Sequence, residues 1–158
     1  MMKALVVTVS NRAAAGVYED RSGPVLVTGL TEMGFDVDGP QVVPDGEPVE
    51  AALRAAIASS AYDVVITTGG TGIAPTDRTP DMTFRVIDRE LPGIAEALRA
   101  HGVAHGVPTA SLSRGVAGTA GTTLVVNLPG SQGGVLDGVA VLAPLLAHAV
   151  EQIHGGDH

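Results

Sequence analysis

Three short apolar runs, each leading into a small or polar loop, constrain the fold of this chain most strongly. They are KALVVTVS at residues 3–10, DVVITT at residues 63–68 and TTLVVNL at residues 122–128. Runs of this length, rich in β-branched residues and apolar on both faces, are typical of strands buried in a parallel sheet. A fourth run, over residues 35–43, alternates but contains a Gly-Pro pair. It predicts a strand near the sheet edge.

Helical patterns alternate with these strands. They cover residues 22–34, 49–60, 79–91, 94–105 and 134–153. The alternation predicts an α/β fold with three layers, a mostly parallel sheet and helices on both faces. Residues 11–20 are small and polar and predict a loop, and Phe84 is predicted to face the core. No repeat or linker divides the chain, so we expect a single domain over residues 1–158.

Composition excludes several classes of function. The 158 residues carry a net charge of -8, contain no cysteine and include one lysine, Lys3. The acidic balance argues against a nucleic-acid partner, and the absence of cysteine removes disulfides, thiolate catalysis and cysteine-ligated zinc. A lone Lys3 excludes a P-loop, whose lysine follows the glycine-rich turn. With no leader and no apolar run of about 20 residues, we expect a cytoplasmic protein without a membrane partner.

A glycine-rich segment, TTGGTG, covers residues 67–72 between a predicted strand and a predicted helix. Ligands of parallel sheets bind beyond the carboxyl ends of the strands, and glycines there let backbone N–H groups point at an anion. The candidate phosphate-binding residues are Thr68, Gly69, Gly70, Thr71 and Gly72. The alternative is a tight turn that needs glycine only for its backbone. A dinucleotide fingerprint is excluded because its third glycine would fall at Pro75.

Two aspartates lie in loops that could adjoin this segment. Asp45 is in the turn after the second strand, and Asp77 precedes a predicted helix start. Carboxylates beside a polyphosphate repel it unless a divalent cation intervenes, and Mg²⁺ is commonly held by Asp and phosphate oxygens. The alternative for each is an ordinary turn or helix-entry residue. Asp81, in the first helical turn, is interpreted as a capping residue that complements the helix dipole.

Other polar residues are weaker candidates. Arg12, Arg78 and Arg114 lie in loops and could clamp an anion, although surface arginines are commonly only solvated. His101 and His105 have a spacing that can hold a metal. No third ligand accompanies them, which favours a partly exposed polar face.

The segment TTGGTGIAPTDRTPD at residues 67–81 resembles the signature of the MogA/MoaB family of molybdenum cofactor biosynthesis proteins. Other family motifs match in order along the chain. They are Ser10-Asn11-Arg12 with Gly16-Val17-Tyr18-Glu19-Asp20, Pro44-Asp45, Leu91-Pro92-Gly93, Leu112-Ser113-Arg114 and Asn127-Leu128-Pro129-Gly130. The central segment is shared with MoeA and CinA types of molybdopterin-binding domain. The complete set covers nearly the whole chain and resembles MogA/MoaB.

The resemblance implies a function and a site. Members of the family bind molybdopterin and ATP, transfer AMP to the pterin's phosphate with Mg²⁺ and release pyrophosphate. They are usually homotrimers, and a downstream protein inserts molybdate into the product. The resemblance implies that Asp45 and Asp77 are the catalytic and metal-binding carboxylates. It implies pterin contacts at Ser10, Arg12, Ser113, Arg114, Asn127, Pro129, Gly130 and Ser131.

Two positions depart from the family pattern. Asn11 stands where the family usually has Asp, and Gln132 interrupts its P-G-x-P loop. Two alternatives therefore stay open: a non-catalytic molybdopterin-binding or scaffold protein of the MoaB type, and a CinA-like nucleotide-processing domain. The presence of both Asp45 and Asp77 favours the enzyme.

Overall fold

A six-stranded sheet forms the centre of the structure, a computed structural model that describes residues 1–157. The strands are β1 (Lys3–Val9), β2 (Asp36–Val43), β3 (Val64–Thr68), β4 (Arg89–Glu90), β5 (Ala117–Ala120) and β6 (Thr123–Leu128). Their order is β2-β1-β3-β6-β5-β4. The four strands from β2 to β6 pair in parallel, whereas β5 is antiparallel to β6 and to β4. The predicted mostly parallel α/β fold is confirmed.

Helices cover both faces of the sheet. They are α1 (Asn11–Ala14), α2 (Ser22–Glu32), α3 (Glu47–Ala58), α4 (Thr79–Phe84), α5 (Pro92–Ala104), α6 (Gln132–Leu142) and α7 (Leu146–Ile153), with a 3₁₀ helix over Pro108–Leu112. Consecutive strand residues point to opposite faces. Val6 of β1 therefore packs in one core with Leu26 of α2, and Val7 packs in the other with Leu53 of α3. The two cores and the sheet give the predicted three layers.

The order of the strands determines where a ligand can bind. The chain runs from β1 to β2 on one side, then crosses to β3 on the other side of β1. Where the strand order reverses in this way, a crevice opens at the carboxyl ends of the two strands. Ser10 follows β1 and Gly69 follows β3 at this crevice. Gly69 has a φ of 104°, and a Cβ there would overlap the Val9 carbonyl oxygen.

The structure corrects four predictions of local structure. Residues 11–14 form α1 instead of a loop, and the Ser10 hydroxyl accepts a hydrogen bond from the Ala13 N–H over 3.1 Å. The single terminal helix is instead two helices, α6 and α7, which differ in direction by 60° around Pro144. Proline cannot donate the next helical hydrogen bond.

The other two corrections concern α4 and the sheet edge. The helix predicted over residues 79–91 is too long, because α4 ends at Phe84 and residues 89–90 pair with β5 instead. Phe84, predicted to face the core, is 49% exposed, whereas Met82 and Thr83 are buried. The antiparallel strands β4 and β5 were not predicted.

Within residues 1–157, no single helix is both long and apolar enough to cross a bilayer. Taken together, α6 and α7 meet that test of length and composition only as a bent pair.

Candidate active site

Asp45 lies in the turn after β2 and caps the start of α4. Its Oδ1 accepts hydrogen bonds from the Gly46 N–H over 2.7 Å and the Thr79 hydroxyl over 3.3 Å. Its Oδ2 accepts from the Arg78 N–H over 3.2 Å. Gly70, with a φ of 70°, passes so close that an added Cβ would overlap the Asp45 carboxylate. The side chain is therefore fixed against the glycine-rich segment.

Asp77 lies near the other end of that segment. Its Oδ2 accepts a hydrogen bond from the Ala74 N–H over 3.1 Å, and its own N–H donates to the Ala74 carbonyl over 2.9 Å. A Cβ added to Gly72 would lie 2.8 Å from Asp77 Oδ2. The two aspartates predicted from separate loops therefore both adjoin residues 69–72.

The negative charge of Asp45 and Asp77 has no partner among the basic side chains of residues 1–157. Neither carboxylate takes part in a salt bridge within that range. The nearby guanidinium of Arg78 instead contacts Glu47, with N···O distances of 3.1 and 3.2 Å. The Arg78 hydrogen bond lowers the pKa of Glu47. The aspartates are thus left as hard oxygen ligands that a divalent cation can use.

A first cavity, the strand-end cavity, has a volume of about 430 Å³ and opens at the carboxyl ends of β1 and β3. Its lining includes the predicted residues Ser10, Thr68, Gly69, Gly70, Gly130 and Ser131. It also includes Tyr18, Asp20, Arg21 and Ser22, which were not predicted as site residues. The amino ends of α2 and α6 meet this cavity at Ser22 and Ser131. Helix amino ends carry partial positive charge, so the cavity suits an anion.

A second cavity, the helix-lined cavity, has a volume of about 470 Å³ and lies between the glycine-rich segment, α5, the 3₁₀ helix and α6. The predicted residues Thr71, Gly72, Ser113, Asn127, Pro129 and Ser131 line it. Its apolar lining includes Leu98, Val107, Leu112 and Leu136, which were not predicted. Apolar walls with a few polar groups are typical of sites for small organic molecules.

Asn127 is part of the framework beneath the helix-lined cavity. It is 2% exposed. Its amide nitrogen donates to the hydroxyls of Thr67 and Thr83, each over 3.0 Å, and its oxygen accepts from the Val116 N–H over 3.1 Å. These bonds tie β3, α4 and the approach to β5 together. The side chain therefore holds the cavity floor in place.

The remaining predicted cations lie outside both cavities. The Arg12 guanidinium is 5.2 Å from the centre of the ring of Tyr18, which lines the strand-end cavity. Arg21, which also lines that cavity, is 5.9 Å from the same ring. Such distances permit cation–π attraction. Arg114 binds carbonyl groups and Asp81 instead.

His101 and His105 stack on each other with ring centres 3.8 Å apart. Across residues 1–157 there is no group of three or more His, Asp or Glu side chains that could hold a metal ion.

Comparison with known proteins places the chain in a family. Residues 5–148 match the model of a family described as a probable molybdopterin binding domain. The chain belongs to this family. A molybdopterin adenylyltransferase of Haemophilus influenzae is 42% identical over 133 residues, which cover 82% of this chain and 67% of that protein.

Two further relatives match almost the whole chain. A molybdenum cofactor biosynthesis bifunctional protein of Synechococcus elongatus is 41% identical over 157 residues, 98% of this chain. The match spans 48% of that larger protein. The solved structure of a molybdopterin biosynthesis Mog protein from Mycobacterium ulcerans has a TM-score of 0.91 and 49% identity, and the match covers 97% of this chain and 99% of that one. The chain therefore shares the sequence pattern of these relatives and, over 97% of its length, the fold of the Mog protein.

Proposed function

We propose that this chain is a molybdopterin adenylyltransferase, which transfers AMP from ATP to the phosphate of molybdopterin and releases pyrophosphate. The observation that carries the proposal is the placement of Asp45 and Asp77 against Gly70 and Gly72 of one glycine-rich segment. That arrangement combines carboxylates with a phosphate-binding backbone. The names of the Haemophilus influenzae relative and of a 40% identical Escherichia coli relative support the same reaction.

The glycine-rich segment would bind the phosphates. The Gly69 N–H donates to the Leu128 carbonyl over 3.0 Å and fixes the segment to β6. Within residues 1–157, the N–H groups of Gly70, Thr71 and Gly72 donate to no protein acceptor. Such N–H groups, fixed in advance, stabilise charge on phosphate oxygens without reorganising. The strand-end cavity suits phosphate groups, and the apolar helix-lined cavity suits a planar ring.

The residues present fit Mg²⁺ bound together with a phosphate substrate. Mg²⁺ commonly takes one or two carboxylates and completes its shell with substrate phosphates and water. Asp77 Oδ2 accepts one hydrogen bond, whereas the Asp45 carboxylate accepts three. Asp77 would therefore be the principal protein ligand and Asp45 the second. The ion would offset phosphate charge and orient the pyrophosphate leaving group.

The reaction needs positioning more than it needs a protein nucleophile. A phosphate oxygen of molybdopterin attacks the α-phosphorus of ATP, and the bond from that phosphorus to the bridging oxygen of the β-phosphate breaks. Pyrophosphate carries away the electron pair of that bond. The protein's part is to hold the attacking oxygen in line and to present N–H donors to the equatorial oxygens.

The test is pyrophosphate release by the purified protein with molybdopterin, ATP and Mg²⁺. Release should require molybdopterin and Mg²⁺ and should be lost in Asp77→Ala. Asp36→Ala is the matched control, because it removes an exposed carboxylate at the amino end of β2. Tight molybdopterin binding without release would assign the chain to the non-catalytic binders. Equal activity of Asp77→Ala and wild type would contradict the proposed site.

The proposal also covers the oligomeric state, the cellular location and the transfer of the product to the next protein. The family resemblance supports a homotrimer, a cytoplasmic location and transfer of the product to a molybdate-insertion protein. A chain of 15.9 kDa should then sediment as a species of three times that mass. A monomer at micromolar concentration would contradict the homotrimer and would leave the proposed reaction unaffected.

A further inference from the structure

Arg114 joins separate segments around the candidate active site. Its backbone N–H donates to the Thr71 carbonyl over 2.7 Å, and its Nε donates to the Gly72 carbonyl over 3.1 Å. Its Nη2 donates to the Asp77 carbonyl. One residue therefore binds both ends of the loop over residues 72–77, which carries the Asp77 carboxylate.

Asp81 fixes the guanidinium that makes these contacts. Its two oxygens lie 3.3 and 3.1 Å from Nη1 and Nη2 of Arg114, a two-point pairing with fixed geometry. Asp81 is in the first turn of α4, so the guanidinium is anchored to a helix. Each of the three guanidinium nitrogens of Arg114 thus has a protein acceptor.

We infer that Arg114 is a positioning residue for adenylyl transfer, anchored by Asp81, that holds the loop over residues 72–77 so that Asp77 stays beside Gly72. The inference rests on the proposed function. It assigns Arg114 to holding the loop, as a clamp, where the family resemblance implies a pterin contact. Displacements of about 1 Å at a reacting centre can cost roughly 100-fold in rate. A loop held by its own backbone alone could shift by that distance, and the misplaced Asp77 would slow the reaction. A lysine cannot replace the clamp because it lacks the planar fork of donors.

The competing assignment is that Arg114 binds a substrate phosphate directly. The two assignments differ in the effect of removing Asp81. If Arg114 is a clamp, Asp81→Ala releases the guanidinium from its anchor and produces the same defect as Arg114→Ala. If Arg114 binds a substrate phosphate, Asp81→Ala frees a cation that Asp81 otherwise occupies, and the KM falls for whichever substrate carries that phosphate, ATP or molybdopterin.

The kinetic test compares four variants with wild type: Arg114→Ala, Arg114→Lys, Asp81→Ala and Arg54→Ala. We expect kcat to fall roughly 10- to 100-fold in the first three, as for other residues that orient a ligand. The KM values for ATP and for molybdopterin should each change less than about threefold, because the lost interaction is with neither substrate. Arg54→Ala should match wild type, since Arg54 bonds Glu50 and the Arg85 carbonyl on the outer surface. A kcat close to wild type in Arg114→Ala, or a lower KM in Asp81→Ala, overturns the inference.

Amide hydrogen exchange tests the clamp independently of activity. The Asp77 and Ala74 N–H groups form the hydrogen bonds that close the loop. They should exchange faster in Arg114→Ala and in Asp81→Ala, and as in wild type in Arg54→Ala. Unchanged exchange at both amides overturns the clamp, even where wild type releases pyrophosphate. Faster exchange in a protein whose wild type releases none supports the clamp and rejects the proposed reaction. Should Arg114→Ala fail to fold, Arg114→Lys and Asp81→Asn provide both readouts.

Discussion

The backbone N–H of Asp45 donates a hydrogen bond to Oδ1 of Asn11 over 2.9 Å. Position 11 is one of the two departures from the family pattern, which usually has Asp there. Amide and carboxylate both offer an acceptor oxygen at this position. Asn11 therefore keeps the bond that supports the Asp45 turn, and it removes a negative charge from the neighbourhood of Asp45.

This bond predicts different results for two substitutions of Asn11. Asn11→Ala loses the acceptor, so we expect it to slow pyrophosphate release and to lower the free energy of unfolding by about 1 kcal/mol. Asn11→Asp keeps the acceptor and should retain activity. The rates are measured with molybdopterin, ATP and Mg²⁺, and the unfolding free energies in urea. An inactive Asn11→Asp would mean that the charge at this position, and not the acceptor, controls the site.

Two glycine substitutions separate backbone strain from damage to the site. Gly70 and Gly121 have φ values of 70° and 60°, so alanine at either costs about 1–2 kcal/mol of conformational free energy. Only at Gly70 does the added Cβ meet the Asp45 carboxylate and the Thr79 hydroxyl; at Gly121 it meets no atom within 4 Å. Activity should be lost in Gly70→Ala and kept in Gly121→Ala. Comparable activity in the two folded variants would show that contact with Asp45 is unimportant.

Asn127→Ala should be among the most destabilising changes near the site. It removes three buried hydrogen bonds and leaves the Val116 N–H without its Asn127 acceptor. Leaving buried polar groups unpaired costs about 1–3 kcal/mol each, so we expect a loss of roughly 2–4 kcal/mol in urea unfolding. Glu151→Ala, at an exposed position of α7, should change the value by less than about 0.5 kcal/mol. A small effect of Asn127→Ala would mean that the surrounding hydroxyls find other partners.

Asp88 should make stability depend on pH in the acid range. The Gly121 N–H donates to its carboxylate over 2.8 Å and the Thr119 hydroxyl over 3.2 Å, and the Gly121 bond is the main cause of a lowered pKa. A lowered folded-state pKa stabilises the protein above the unfolded-state value near 3.9, and this stabilisation is lost as pH falls through the lower folded value.

Carbon-detected NMR should give Asp88 a titration midpoint below that of an ordinary aspartate. Urea unfolding of Asp88→Asn should depend less on pH below about pH 4 than unfolding of wild type does. An ordinary midpoint for Asp88 would contradict the hydrogen bonds in solution.

The strands that the sequence predicted well are those buried on both faces. β1, β3 and β6 are long enough and apolar enough to be recognised without tertiary information. β4 has two residues and β5 has the sequence AGTA, so neither carries an apolar period. Their pairing depends on β6 and could not be predicted locally. Pro144 was visible in the sequence, but the apolar residues on both sides of it favoured one continuous helix.

The position of Asp45 and Asp77 against the glycine-rich segment was predictable, because turn position and phosphate chemistry both single these residues out. Asp45 and Asp77 needed no tertiary information beyond the sheet rule that brings strand ends together. The apolar lining of the helix-lined cavity was not predictable, since residues such as Leu98 and Leu136 have the pattern of ordinary helix packing. The partnership of Arg114 with Asp81 depends on how α4 and the 3₁₀ helix meet, which local patterns do not determine.

Ser131 lines both cavities and also caps α6, where its hydroxyl accepts a hydrogen bond from the Gly134 N–H over 3.0 Å. At this point one residue borders the two cavities at once. A ligand in one cavity that shifts Ser131 also changes the shape of the other cavity. If a bound ligand shifts Ser131, occupancy of either cavity changes the affinity of the other by the same factor in both directions. Two ligands that both displaced Ser131 would therefore not bind independently of each other.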